Sequence, residues 1–381
     1  MKPLVTVLVC SYNDEKTIGA VLEGIKKLTY SPLEVIVIND SSTDTTAEII
    51  SRFPVTAVHN KVNRGLGFNL NLGLELAKGE HLAVIQSDCE ITDPNWLDQM
   101  MELMTDGVGV VVSQRKIEGF ASLPAGARYF NAVAPQDLQN PTGKPREEKF
   151  ARGKADLYRV SMLRELNGWN PAFFTAGEDT DLSFRIRKLG YRILLSPIAT
   201  IRYLFSGRQV STKGAFKKAF LYGQTAFLLY HLHGYDGIQA RTYLTILLSI
   251  LSLALPVHAR FVAGVCLLVY SFTCGIQTGH RKIPFGIFAF IASLILAMLH
   301  FPIKLPDLFS IPGLAVAGVG LAYTIYLAAK NSARNYAKGE PVSRLPATFL
   351  FCIAWRFISG AGYVFGALKR NENPAGQSTK I

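Results

Sequence analysis

The sequence predicts an α/β protein with a doubly wound, mostly parallel sheet, helices on both faces and an apolar α-helical region after it. Three observations carry that expectation. Short β-branched apolar runs alternate with helical patterns up to about residue 112, without a hairpin signal. Charged residues are frequent up to about Tyr235, then nearly vanish from Tyr243 to Ala329, where only Arg260, Arg281, Lys282, Lys304 and Asp307 remain. The 381 residues are 49% hydrophobic with a mean hydropathy of +0.22, high for a soluble chain.

The elements follow in order. "LVTVLVC" (4–10) is a run of buried-strand length. Asp14 is placed to cap a helix that carries Ile18, Val21, Leu22 and Ile25 on one face. "LEVIVIN" (33–39) is a second strand, residues 44–50 a short helix and "VTAVHN" (55–60) a third strand. Residues 66–77 are helical, with Gly79 placed as the C-terminal cap. "HLAVIQS" (81–87) is a fourth strand, 94–104 a helix with proline at its first turn, and "VGVVV" (108–112) a fifth strand.

The net charge of +12 admits nucleic acid, an anionic membrane surface or a phosphorylated substrate. No RNA-binding signature or zinc finger is visible. Lys213, Lys217 and Lys218 flank apolar residues, so the membrane surface is the preferred partner and nucleic acid is not expected. Five cysteines without metal-like or framework spacing suit a reducing compartment. The first residues have too short an apolar run for a signal peptide, which places the polar half in the cytosol.

Ligands of doubly wound sheets bind outside the carboxyl ends of the strands. Strand one ends in Ser11, Tyr12 and Asp14, strand two in Asp40, and strand four in Asp88-Cys89-Glu90. Each single acid is ordinarily a helix cap, but three converging sets point to a site. Two carboxylates one residue apart can hold Mg²⁺ or Mn²⁺ together with substrate phosphates, although D-x-E alone is a weak signal. "GLGFNL" (65–70) lacks the third glycine and follows a loop, which excludes a dinucleotide fingerprint. "AGEDTDLSFRIRKLG" (176–190) crowds Glu178, Asp179 and Asp181 together. That crowd reads either as a helix start favoured by the macrodipole or as a catalytic base.

The ordered motifs "VTVLVCSYNDEKTI", "VIVINDSSTDTTAEI", "NRGLGFNLNLGLELAKGEHLAVIQSD" and "YRVSMLRELNGWNPAFFTAGEDTDLSFRIRKLGYRI" resemble the family 2 glycosyltransferases of GT-A fold, over roughly residues 4–205. The resemblance implies a membrane-anchored, inverting enzyme that uses a nucleoside-diphosphate sugar and a divalent metal. It implies that Ser11, Tyr12 and Asp14 hold the nucleotide and that Asp40 bonds its base. Asp88 and Glu90 would bind the metal and the diphosphate, and Asp179, assisted by Glu178, would deprotonate the acceptor hydroxyl. Departures are the glutamate at the third DxD position, Leu70 where a basic residue is common, and Arg202-Tyr203 where many members carry a histidine. QxxRW, used by processive synthases, is absent, which argues for transfer of one or a few sugars.

The expected organisation is a cytosolic catalytic domain (1–210), an interfacial amphipathic helix and linker (211–240), a transmembrane region of four or five helices (241–370) and a polar tail (371–381). Phe216, Phe220 and Phe227 would face the leaflet, opposite Lys213, Lys217 and Gln224. Run as one helix, residues 243–277 would reach about 50 Å against a core of roughly 30 Å, so a break is expected at 256–260. Further spans are expected near 284–303, 308–329 and 346–367, with a basic cytosolic loop at 330–344. Residues 113–150 would be a loop on the acceptor side. The acceptor would be lipid-linked or a glycan, with membrane lipids around it. Alternatives are a polyprenyl-phosphate sugar synthase and a non-catalytic membrane scaffold with a decayed transferase domain.

Overall fold

In the computed structural model, the described residues are 1–133, 136–173, 176–205, 211–234, 325, 328–338 and 342–372. The chain divides into two compact units, Met1–Ala215 and Phe216–Ile381.

The first unit is built on one nine-stranded mixed sheet. Its strands are β1 (Val5–Ser11), β2 (Leu33–Asn39), β3 (Thr56–His59), β4 (His81–Gln86), β5 (Cys89–Ile91), β6 (Val108–Lys116), β7 (Arg146–Glu148), β8 (Ala155–Arg159) and β9 (Arg192–Tyr203). Their order is β3-β2-β1-β4-β8-β6-β9-β5, with β7 beside β9. All five expected strands run in one direction and β9 joins them, whereas β5, β7 and β8 run against them. The sheet is therefore mostly parallel by direction. Its antiparallel insertion, β8 between β4 and β6, left no hairpin signal because its neighbours are distant in sequence.

Alternate residues of each strand face opposite sides, and both sides are covered. Val5, Val7 and Val9 of β1 pack with Ile18, Val21 and Leu22 of α1 (Ile18–Lys26), Ile50 of α2 (Thr46–Ile50) and Trp96 of α4 (Trp96–Met101). Leu8 packs on the other side with Leu70 and Leu74 of α3 (Leu66–Leu76), Met162 of α6 (Val160–Glu165) and Ile186 of α7 (Glu178–Lys188). Residues 113–150 are not a plain loop. They continue β6 to Lys116 and contain α5 (Ala125–Val133) and β7.

Two expected caps serve otherwise. Helix α1 starts at Ile18 after Thr17 and receives no cap from the Asp14 side chain, because that carboxylate is engaged at the site described below. Helix α3 ends at Ala77 in an extended conformation, so Gly79 is no cap. Gly79 instead lets the chain lie against β1: a Cβ there would stand 2.6 Å from the Thr6 nitrogen and 2.8 Å from the Leu4 oxygen.

In the second unit, the long helix α8 (Thr212–His233) extends from the boundary, and another helix spans Leu345–Glu372. Phe216 stacks on Phe351 with centroids 4.8 Å apart, and Phe220 meets Phe365 at 5.6 Å. The aromatic face expected to lie on a leaflet thus packs against a second helix, while Lys213 and Lys217 stay exposed. Residues 328–337 are helical, with Asn331 and Asn335 buried, so the expected basic loop is shorter than its composition suggested. Among the described residues one helix, Val342–Gly362, is long and apolar enough to cross a membrane. The spans expected within 243–303, and nearly all of the one at 308–329, lie outside the described residues.

Gly79→Ala should cost about 1–3 kcal/mol by overpacking against fixed backbone, read as a lower denaturant midpoint of the full chain. An unchanged midpoint would mean that the β1 backbone yields freely there.

Candidate active site

The carboxyl ends of β1, β2 and β4 are level, since Ser11 pairs with Asn39 and Cys10 with Gln86. Because β1 lies between β2 and β4, the connections diverge here and open a crevice at the strand ends. The loops that leave these strands are tied by carboxylates. One Asp14 oxygen accepts the hydroxyls of Ser11 (3.0 Å) and Ser87 (2.6 Å) and the amide of Tyr12 (2.9 Å). Burial lifts the Asp14 carboxyl above its ordinary range, against these donors and with the charge of Asp88. Tyr12 stays 41% exposed beyond the strand end. Asp40 is buried and accepts the side-chain amide of Asn60 (2.8 Å) and the backbone amides of Arg64 and Gly65 (2.9 Å each). The glycine of the discarded dinucleotide motif therefore brings a backbone N–H to Asp40.

Asp88, just beyond β4, is buried beside Lys154. The Lys154 ammonium donates to both Asp88 oxygens (2.9 and 3.1 Å) and to the Gln86 side-chain oxygen (2.6 Å), and lies 3.4 Å from the Tyr203 hydroxyl. The Gln86 amide also bonds the Lys154 carbonyl at 2.7 Å, locking β4 to the chain entering β8. Burial works against the charged ammonium, but Asp88 outweighs it and the Lys154 pKa lies above the lysine range.

Glu90 is not aimed at the same ion as Asp88. Register pairs it with Arg202, whose guanidinium grips the Glu90 carboxylate through Nε (2.7 Å) and a second nitrogen, and reaches Glu118 at 3.2 Å. Among the described residues no group of three or more His, Cys, Asp or Glu side chains could hold a metal. The D-x-E carboxylates, expected to bind Mg²⁺ or Mn²⁺, are each already neutralised by a basic side chain. As placed they do not fit a divalent cation.

Asp179 lies in the first turn of α7, which starts after Gly177 (φ 89°), and Glu178, Asp179 and Asp181 all sit at the positive end of the helix dipole. They divide the work. Asp181 is buried and paired with Arg185 (2.8 Å), whose guanidinium also bonds the Leu166 and Gly168 carbonyls, so it is structural. Glu178 is buried. Asp179 Oδ1 accepts the Thr180 amide (2.7 Å) and hydroxyl, and no hydrogen bond among the described residues reaches Oδ2. Burial lifts its pKa, the property of a base that must hold and release a proton.

Gln86, Gly153, Glu178 and Asp179 line one small recess of about 10 Å³, together with Cys10 and Trp169. Gly153 (φ 60°) faces Asp179, where a Cβ would lie 3.2 Å from the aspartate's own. The dipeptide Gly153-Lys154 therefore touches Asp179 with one residue and Asp88 with the next. Burial lifts the Cys10 thiol, which makes it a poor nucleophile.

Three residues here had no motif to announce them: Gly153, Lys154 and Asp156. Asp156 is buried, accepts the Arg152 and Gly153 amides (2.9 and 2.7 Å) on one oxygen, and its other oxygen has no donor among the described residues. Burial raises its carboxyl from 3.8 to about 6. A charged residue alternating with apolar ones ("ADLYR") would have been the available signal.

Residues 6–166 match the family model described as Glycosyl transferase family 2. An uncharacterized glycosyltransferase of Haemophilus influenzae is 39% identical over 104 residues, which are 26% of this chain and 32% of that one. A poly-beta-1,6-N-acetyl-D-glucosamine synthase of Staphylococcus epidermidis is 25% identical over 203 residues, 51% of this chain and 48% of that one. The chain thus spans about a third to a half of these curated relatives. Among solved structures, a mannosyltransferase from Pyrobaculum calidifontis, in complex with GDP-Man and Mn²⁺, superposes with a TM-score of 0.47 at 17% identity. That match covers 99% of this chain and 89% of the other.

A native Asp156 that holds its proton to about pH 6, against about 3.8 when unfolded, binds more proton than the unfolded chain between those values. Stability should therefore fall as pH rises from about 4 to 6 and level off above. Urea denaturation of Asp156→Asn across this window should show a shallower slope than the parent, and equal slopes would assign the titration elsewhere.

Proposed function

We propose a donor, a base and an acceptor side for a chain that is, through residues 6–166, a family 2 glycosyltransferase. The enzyme moves a sugar from a nucleoside-diphosphate sugar to an acceptor hydroxyl, with inversion at the anomeric carbon. The observation that supports this reading is the Gly153-Lys154 junction: Gly153 lies against Asp179, which lines the recess, and Lys154 pairs with Asp88, the proposed diphosphate end.

The nucleotide lies across the ends of β1 and β2, with its base against the exposed Tyr12 ring and near Ser11, Asp14 and Asp40. The acceptor oxygen attacks the anomeric carbon from the side opposite the departing diphosphate. One C–O bond forms, the bond to the nucleoside diphosphate breaks, and the acceptor proton passes to Asp179 Oδ2. Glu178 is buried beside it in the same first turn of α7. No step runs through a divalent ion. Mg²⁺ or Mn²⁺ on Asp88 and Glu90 would first have to displace Lys154 and Arg202.

The acceptor is membrane-associated, lipid-linked or a glycan, and the enzyme domain faces the cytosol from an integral membrane chain. The nearly charge-free residues 243–329 and the apolar helix Val342–Gly362 support this reading.

Asp179→Asn should keep donor affinity within about twofold while transfer falls by about 10²–10⁴. Calorimetric binding against a panel of UDP-, GDP- and dTDP-sugars, followed by turnover with the sugar that binds, checks this; near-parental turnover removes Asp179 as base. The full chain should stay with membranes through alkaline carbonate extraction, and release into the supernatant would overturn its integral placement.

A further inference from the structure

The expected metal position holds a lysine. We propose that the Lys154 ammonium is the resident cation of the diphosphate site, and that this enzyme binds its donor diphosphate through Lys154 without requiring a divalent metal. The inference rests on the reading of Asp88 as the diphosphate end of the site and names the group that meets the charge there.

Lys154 lies 66 residues from Asp88 in sequence and reaches it from the far side of the crevice, at the start of β8. Its ammonium has three N–H bonds to give. One goes to Gln86 at 2.6 Å and one is shared between the Asp88 oxygens. Among the described residues the third meets the long 3.4 Å contact to the Tyr203 hydroxyl, above whose ring the ammonium also lies, 4.8 Å from the centroid. A phosphate oxygen is a stronger acceptor than that phenol and would take the third proton in a charge-assisted bond. Asp88 then has the role of holding the ammonium in place, leaving the pair close to neutral before the donor arrives.

The second D-x-E carboxylate gives the same indication. A divalent ion needs several hard oxygen ligands, and Glu90 spends its carboxylate on Arg202 through the β5–β9 register. An ion seated on Asp88 alone would stand within a few ångströms of a buried ammonium, with like charges opposed where water is scarce. Arg115 is also buried, its Nε has no hydrogen-bond partner among the described residues, and its charge reaches Lys154, Asp156 and Asp179 alike. The chain therefore brings one fixed positive side chain, Lys154, to Asp88, the proposed end of the site where negative charge builds on a leaving diphosphate.

The test is calorimetric binding of UDP, GDP and dTDP, and of the matching monophosphates, to the full chain in EDTA and again with Mn²⁺. One diphosphate should bind in EDTA, with Mn²⁺ changing its Kd by less than about threefold. Lys154→Met should weaken that diphosphate about ten- to hundredfold in EDTA, the range of one charge-assisted bond, and leave the monophosphate within about twofold. Lys154→Arg should recover most of the loss. A merely structural Lys154 would weaken both nucleotides together, which overturns the proposal. Diphosphate binding by the parent only when Mn²⁺ is present also overturns it, while leaving the glycosyltransferase donor reading intact. No diphosphate binding under either condition would instead remove the donor reading on which the proposal stands.

Discussion

The buried ion pair between Lys154 and Asp88 joins parts of the sheet that the chain makes far apart. Asp88 follows β4, Lys154 precedes β8, and Tyr203 ends β9. Bringing two charges out of water is expensive, and the cost is offset only where further hydrogen bonds satisfy both partners. Gln86 accepts from the ammonium and the Cys89 thiol donates to Asp88 here. The pair also fixes the preceding residue: Gly153 has a positive φ that strains any side chain, and a Cβ there would lie 3.2 Å from that of Asp179. Through these contacts one buried pair sets the spacing between Asp88 and Asp179 in the candidate site.

Other carboxylates at the strand ends serve the architecture in a similar way. Asp14 gathers two serine hydroxyls from two strands, and Asp40 holds the loop that leads into α3 through two backbone amides. Each satisfies polar groups that a buried loop would otherwise leave unpaired. The crevice at the topological switch is thus rigid before any ligand arrives, with Tyr12 left projecting from it. Rigid placement of this kind is what orientation-dependent catalysis draws on.

In the second unit the same economy governs apolar groups. Phe216 and Phe220, one turn apart on α8, meet Phe351 and Phe365 of the long apolar helix. An amphipathic stripe read from sequence specifies only that a face must be covered, by lipid or by protein. In this unit a helix covers it.

The sequence by itself determined most of the elements and supplied the candidates for the site. The five parallel strands and the helices between them were legible because side-chain period is local, set by 3.6 or 2 residues per repeat. Ser11, Tyr12, Asp40 and Asp88 were legible as candidates because they stand at strand ends on one edge of the sheet, and Asp179 as a candidate because of motif order. Lys154 was not: in "ARGKADLYR" it reads as an ordinary lysine before a strand. Nor were the antiparallel β8, the partner of Glu90, or the close approach that demands Gly79. These are matters of which residue meets which across dozens of positions. Whether a carboxylate faces a metal, an ammonium or a backbone amide depends on distance and burial, and those quantities exist only once the chain has folded.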